Sequence, residues 1–334
     1  MATLPKDRRP RSFPPPEFPP RRPKLFARTP PAIFPSILGL MGLGLALRQG
    51  VAVLGVQGSV AGGLVEAALG AVLGLWLFAV VALKVKVWRR WGVMVEDMRV
   101  LPGRTGLAAA TISGMAAAAV LVPYAPTVAL VFAVASLVAH GVMAVLLVVV
   151  LAGMPAEGRQ VNPGMHLAFV GFIVAAVPLA QLGYQGAAEA LFWGTLPVAV
   201  VIWGVSLWQL VRFVPPAPLR PMLAIHLAPA ALLSSVAGLV GLPELALGFA
   251  VLGAAILAAL LVTLRWGLAS GFTPFWGALT FPLAAYATAV LPLAEVPGLV
   301  VLALATAVVP AIAWAVLALW PGNRLAQKSN AAEA

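Results

Sequence analysis

The chain is 334 residues long; hydrophobic residues make up 62% of it, charged residues 9%, and its mean hydropathy is +1.02. A soluble domain carries about 25% charged residues, so this composition excludes a soluble globular fold and reads as a polytopic membrane protein. Cysteine is absent, which removes disulfides and thiolate chemistry, and the net charge of +11 flanks hydrophobic spans, where it signals topology rather than nucleic-acid binding.

In chain order, residues 1–31 form a Pro-, Arg- and Lys-rich segment (RRPRSFPPPEFPPRRPK) expected to be extended and disordered. It reads as a solvated cytosolic anchor with affinity for anionic lipid headgroups; its PxxP-like spacing also suits a partner domain. Residues 32–321 form the transmembrane domain. The first helix opens at Phe34-Pro35 and runs to Arg48, with Gly39, Gly42 and Gly44 giving it a thin face for packing or for a solute. The second spans Gly63–Leu83 and ends in KVKVWRR, followed by a polar interfacial piece through Pro102-Gly103-Arg104. The third, Thr105–Val122, is rich in Ala and Gly, and Pro123 and Pro126 bracket the turn into the fourth, Thr127–Leu151.

The fifth helix starts at Pro163 and contains Pro178. The sixth spans Ala187–Phe213; the seventh starts at Pro221 and contains Pro229; the eighth covers Glu244–Trp266. The ninth, GFTPFWGALTFPLAAYATAVLP (271–292), opens at Pro274 and carries Pro282 in its interior. There a proline ring is expected to clash with the Ala278 carbonyl and bend the helix. The tenth runs Pro297–Trp320, and a short polar tail, 322–334, closes the chain.

Ten spans result, and a repeat organises them. The opening prolines Pro35, Pro163, Pro221 and Pro274 all begin odd-numbered helices; the third alone starts at Thr105 without one. The fold class is therefore an all-α polytopic membrane protein with ten transmembrane helices. They form five helical hairpins in a quasi-fivefold arrangement, with the bent odd helices lining a central pore. All Lys and Arg except Arg48 fall on the N-terminal side, which the positive-inside rule makes cytosolic for both termini, in the cell inner (plasma) membrane. Glu66, Glu189, Glu244 and Glu295 sit near the outer starts of even helices, where a carboxylate suits the helix dipole.

Three stretches carry a resemblance: Phe34-Pro35-Ser36 with GLMGLGLALR, Pro221–Pro229 (PMLAIHLAP), and Phe275-Trp276 through Thr280-Phe281-Pro282. Together they resemble the tellurite-resistance/dicarboxylate transporter family, which includes bacterial TehA and the plant guard-cell slow anion channels. The resemblance implies a pore down the inner ring, a homotrimer, and a pore-occluding phenylalanine at Phe281. It also implies chloride, nitrate, C4-dicarboxylate or tellurite-like oxyanions as substrates. On the residues alone, Phe281 beside Pro282 reads equally as a gate projecting into the tube or as a packing aromatic.

The chemistry between the helix ends is sparse. No enzyme motif is present, no cofactor is implied, and His140, His166 and His226 lie on three helices at heights that do not pair cleanly for haem. The odd helices offer only hydroxyls and one amide (Ser36, Thr111, Ser113, Gln181, Ser234, Ser235, Thr280, Thr288), a neutral tube suited to an anion held weakly. Pro282, Thr280, Gly277, Pro229, Pro178, Gly39, Gly42, Ser113 and Ser234 are the expected pore-lining or kink residues. Arg48 is expected either to attract anions to the outer mouth or to anchor the interface. A gated anion channel or facilitator with lipid and small anions as partners is the leading reading. A ten-helix alternating-access exporter, with or without proton coupling, is the alternative; its inverted halves would need a sixth helix copying the first.

Overall fold

The structure, a computed structural model, describes residues 24–334; the expected disorder over residues 1–23 lies outside the described residues. Every regular element among them is helical. A 3-10 turn (Pro31–Ile33) leads into α1 (Phe34–Val53), followed by α2 (Val60–Arg89), α3 (Val93–Arg99), α4 (Leu101–Leu121) and α5 (Pro126–Ala152). The fifth hydrophobic stretch is broken into α6 (Met165–Phe169), a 3-10 segment (Gly171–Ala175) and α7 (Ala176–Gln181). After α8 (Gln185–Arg212), the seventh is a 3-10 segment (Ala217–His226) continued by α9 (Leu227–Leu239). Then come α10 (Pro243–Val262), α11 (Leu264–Gly267), a 3-10 segment (Pro274–Leu279), α12 (Thr280–Val290), α13 (Glu295–Leu317) and α14 (Arg324–Lys328).

Eight of these helical units are long and apolar enough to cross a bilayer. The fifth stretch is broken at Val170 and leaves the shorter helical run Gly171–Gln181, and the ninth, Pro274–Val290, is shorter than the other spans. One sequence expectation fails at α4: the helix starts at Leu101 with Pro102 in its first turn, so the third inner helix opens on a proline like the others. A proline there loses nothing, since first-turn N–H groups have no helical acceptor. Arg104 then reaches back from α4 to the Arg99 and Gly158 carbonyls, tying the polar loops to the helix.

The odd-numbered stretches close a ring: α1 packs on α4, α4 on the α6–α7 stretch, that stretch on α9, α9 on α12, and α12 on α1. Each even helix packs outside, α2 on α1, α5 on α4, α8 on α7, α10 on α9, and α13 on α12 and α1. Burial divides the same way. Within their most apolar windows, 83% of Leu101–Leu121 is buried but only 17% of Val60–Arg89. Close inner packing follows from missing side chains: Gly39 lies against the Thr280 side chain, and Gly106 against the Pro31 backbone. The hairpin turns are set by Gly183 and Gly241, whose φ of 89° and 79° is the left-handed conformation that ends a helix most cheaply with glycine. Tyr184 N–H donates to the Leu179 carbonyl and Leu242 N–H to that of Ala237, closing each turn.

Residues 24–31 and the C-terminal segment meet on one face, and the expectation that residues 1–31 are extended and solvated is corrected for residues 24–31. Residues 24–31 are docked: Ala27 and Thr29 are buried, and Ala334 N–H donates to the Ala27 carbonyl at 3.0 Å. At the centre Lys86, at the end of α2, and Asp97, on α3, form an ion pair of 2.6 Å with both side chains essentially inaccessible. Lys86 Nζ also donates to the Thr29 carbonyl at 3.0 Å, and Asp97 Oδ1 accepts the Ala332 N–H at 2.8 Å. Burial pushes the Asp97 carboxyl upward, against the pull of Lys86 and the Ala332 N–H. Around this pair Arg28 binds Glu333, Arg90 binds Glu96 and the Glu333 carbonyl, and Arg89 binds the Leu25 carbonyl. The C-terminal tail is held by α14, with Leu325 and Ala326 buried.

Candidate functional site

The inner ring changes its winding at matching places. Pro178, Pro229 and Pro282 each occupy the third position of an α-helix (α7, α9 and α12) that continues a 3-10 segment. The bend expected from Pro282 in mid-helix is therefore corrected. Residues 274–279 wind as a 3-10 helix, the α-helix begins at Thr280, and Pro282 falls in its first turn, at the change of winding. The 3-10 turn keeps its own bonds, with Thr280 N–H donating to the Gly277 carbonyl. The Thr280-Phe281-Pro282 step is thus a change of pitch, and it turns Phe281 toward the axis.

A cavity of about 60 Å³ lies on that axis, room for a few water molecules. All five inner stretches contribute to its wall and no outer helix does. It extends from the helix starts on the face bearing the chain ends to the level of Leu38, Ile112, Val174, Leu232 and Phe281. Among the described residues no Lys, Arg, Asp or Glu lines it, and Thr105 and His166 are its only polar side chains. Phe281 is half-buried, against the cavity on one side and the thin face of α1 on the other. A Cβ placed on Gly42 would stand 3.0 Å from its Cδ2.

Of the expected lining residues, Phe281, Pro282, Gly277 and Pro229 lie on this wall. The others do not, and the reason is the cost of an unpaired hydroxyl in apolar surroundings. Ser113 Oγ donates to the Ala109 carbonyl at 2.5 Å and Ser234 Oγ to Ala246, on outer helix α10, at 2.7 Å. Thr280 Oγ1 is buried between the Gly277 and Pro35 carbonyls, at 2.7 and 3.2 Å, where it meets Gly39. Thr280 and Gly39 are therefore an α1–α12 contact, Gly42 is the seat of the Phe281 ring, and Pro178 packs outside the cavity wall.

His166 and His226, both near the starts of their helical stretches, meet in the ring. His166 Nε2 lies 3.0 Å from His226 Nδ1, while His140 stands apart with its Nδ1 2.7 Å from Thr111 Oγ1. Among the described residues no cluster of His, Asp and Glu is arranged to hold a metal.

The reading of Arg48 as an anion attractor is corrected. Its guanidinium grips Glu66 at both oxygens (Nε–Oε1 2.7 Å, Nη2–Oε2 2.5 Å) and also donates to the Val120 carbonyl. The Tyr124 hydroxyl completes the carboxylate at 2.7 Å. The charge is neutralised locally, and Glu66, read as a helix-dipole acid, is its counter-ion. Arg48→Gln is expected to reduce stability by about 1 kcal/mol, the upper range for a pair still reached by solvent, with anion selectivity unchanged. Thermal unfolding and reversal potentials read the two effects, and altered selectivity would restore the attractor role.

A ring of helical hairpins around an uncharged axial cavity defines a membrane path for small solutes. The profile of the voltage-dependent anion channel family matches residues 28–320. The chain belongs to that family, and its function is of the anion channel or transporter type. A search of curated proteins finds no match to it.

Proposed function

We propose that the protein is a passive, gated path for small anions in which Phe281 closes the inner ring. The observation that carries this reading is the cavity wall itself: five inner stretches, no charged side chain among the described residues, and the Phe281 ring on the wall. A cation path would call for acidic side chains or a ring of carbonyls; the ionisable pair at the wall, His166 and His226 3.0 Å apart, has no carboxylate or lysine beside it among the described lining residues to extend a proton relay. An anion crossing this neutral wall is held weakly enough to leave. The closed ring of five like hairpins also argues against an exporter built from two inverted halves.

Both termini are placed in the cytosol of a cell whose inner membrane holds the protein, on the strength of its basic loops and ends. An inside-negative potential then does about 2.3 kcal/mol of work per charge per 100 mV. Flux is mainly efflux, with dianions driven twice as hard. Chloride, nitrate, C4-dicarboxylates and tellurite-like oxyanions are the substrates, and the assembly is a homotrimer. The test is a reversal-potential series on purified, reconstituted protein with different anions at fixed cation. The reversal potential is expected to follow the anion gradient without a pH difference. Cation currents, or flux that needs a pH gradient and ignores voltage, would overturn the reading.

A further inference from the structure

A second hollow lies away from the pore, on the face where the chain ends meet. It measures about 390 Å³ and is formed by Lys24, Leu25, Phe26 and Arg28 of the N-terminal segment, Phe78 of α2, and Trp320 beyond α13. Its wall is aromatic. The Phe26 and Phe78 rings are 5.6 Å apart edge-on, and those of Phe78 and Trp320 are 5.4 Å apart and tilted. Phe78 is half exposed on the outward side of α2. Phe26 is held in place at φ 64°, a strained conformation for a bulky residue. The rim carries Lys24 and Arg28 at the opening, Arg28 held through Nε by Glu333 at 2.7 Å, and Arg89 bound to the Leu25 carbonyl beside them.

The level of this hollow is also defined. Trp88 and Trp91, exposed at the end of α2, mark the depth where tryptophans settle at a membrane–water boundary, and Phe78 with Trp320 lies about 15 Å farther along α2, on the apolar side. An occupant there meets positive charge on its polar side and three aromatic rings on its apolar side. Free phosphate would engage only the cations and leave the rings wet. A phospholipid covers both, and basic pockets at helix ends take anionic headgroups.

We propose that this hollow binds an anionic phospholipid, its phosphate between Lys24 and Arg28 and its first acyl methylenes against Phe78 and Trp320. The site is joined to the pore by a short stretch of chain, since Thr29 leads through Pro31 to Ala32 and Pro35 on the wall of the axial cavity.

The experiment is native mass spectrometry of the full chain released from equal mixtures of phosphatidylglycerol and phosphatidylcholine. The wild type is expected to retain phosphatidylglycerol in preference. Lys24→Gln with Arg28→Gln is expected to lower that retention about tenfold or more, at roughly a few-fold per cation removed. Phe78→Ser, on an exposed face with every charge intact, is expected to lower it as well. The double variant keeps Lys6, Arg8, Arg9, Arg11, Arg21 and Arg22; wild-type retention in it would assign the lipid to that upstream segment and overturn the site. Equal protection against thermal unfolding by glycerol phosphate and by phosphatidylglycerol would overturn the lipid in favour of a free phosphate. Wild-type retention by Phe78→Ser would remove the apolar half of the site.

Discussion

Phe281→Ala is expected to yield folded protein with a much higher basal anion conductance. The ring is half-buried on the wall of the axial cavity and reaches across to the thin face of α1, so its removal is expected to widen the path. A ring that merely packed would behave in the opposite way. Truncating it would cost roughly 3–5 kcal/mol by analogy with soluble cores, lower expression, and add no current. Gly42→Ala supplies the complementary probe. The new methyl would sit 3.0 Å from Phe281 Cδ2 and 3.3 Å from Cε2, tight enough to displace the ring by a few tenths of an ångström. The substitution is therefore expected to alter basal conductance in the wild type and to do nothing in the Phe281→Ala background. Single-channel or liposome flux recordings of the four proteins form the cycle. Stable Phe281→Ala protein with unchanged conductance would sink the gate.

The ring of five hairpins was legible in the sequence because its cause is local. Helix-opening prolines recur on alternate hydrophobic stretches, and the small residues that accompany them permit close inner packing. Winding was not legible, since Pro282 inside an apolar run reads as a mid-helix defect. Only the placement of neighbouring backbones reveals that residues 274–279 tighten to a 3-10 helix and move the proline into a first turn. The polar lining failed for a related reason: sequence gives a hydroxyl's type but not its direction, and in apolar surroundings the nearest carbonyl claims it, as Ser113 and Ser234 show. Arg48 and Glu66 belong to different helices, so their pairing required the fold. His166 and His226 likewise meet only because the fifth and seventh stretches enter the ring at matching heights. The docking of residues 24–31 left no compositional trace, because it depends on two residues of opposite charge, Lys86 and Asp97, that look from the sequence like ordinary interfacial side chains.

That pair is expected to be the most sensitive point on the face where the chain ends meet. Lys86 and Asp97 are essentially inaccessible, 2.6 Å apart, and each carries a second bond to a different end of the chain. Lys86→Met leaves a buried carboxylate without its counter-ion and strands the Thr29 carbonyl. The expected loss is about 3–5 kcal/mol, the cost of breaking one side of a buried pair. Asp97→Asn is expected to cost about as much, since its amide oxygen still accepts the Ala332 N–H but its NH2 then faces the buried Lys86 ammonium, donor against donor and without a counter-ion. Combining Lys86→Met with Asp97→Leu removes both charges and recovers part of the loss. The recovery is incomplete, since the Thr29 carbonyl and the Ala332 N–H are then both unpaired at about 1–3 kcal/mol for each buried group. Thermal unfolding in detergent ranks the variants, and proteolysis at residues 24–31 and 324–334 reports whether both ends come loose together. A double variant less stable than either single one would show that the two charges act independently, and Lys86→Met with wild-type stability and protected termini would show that the pair holds nothing in place.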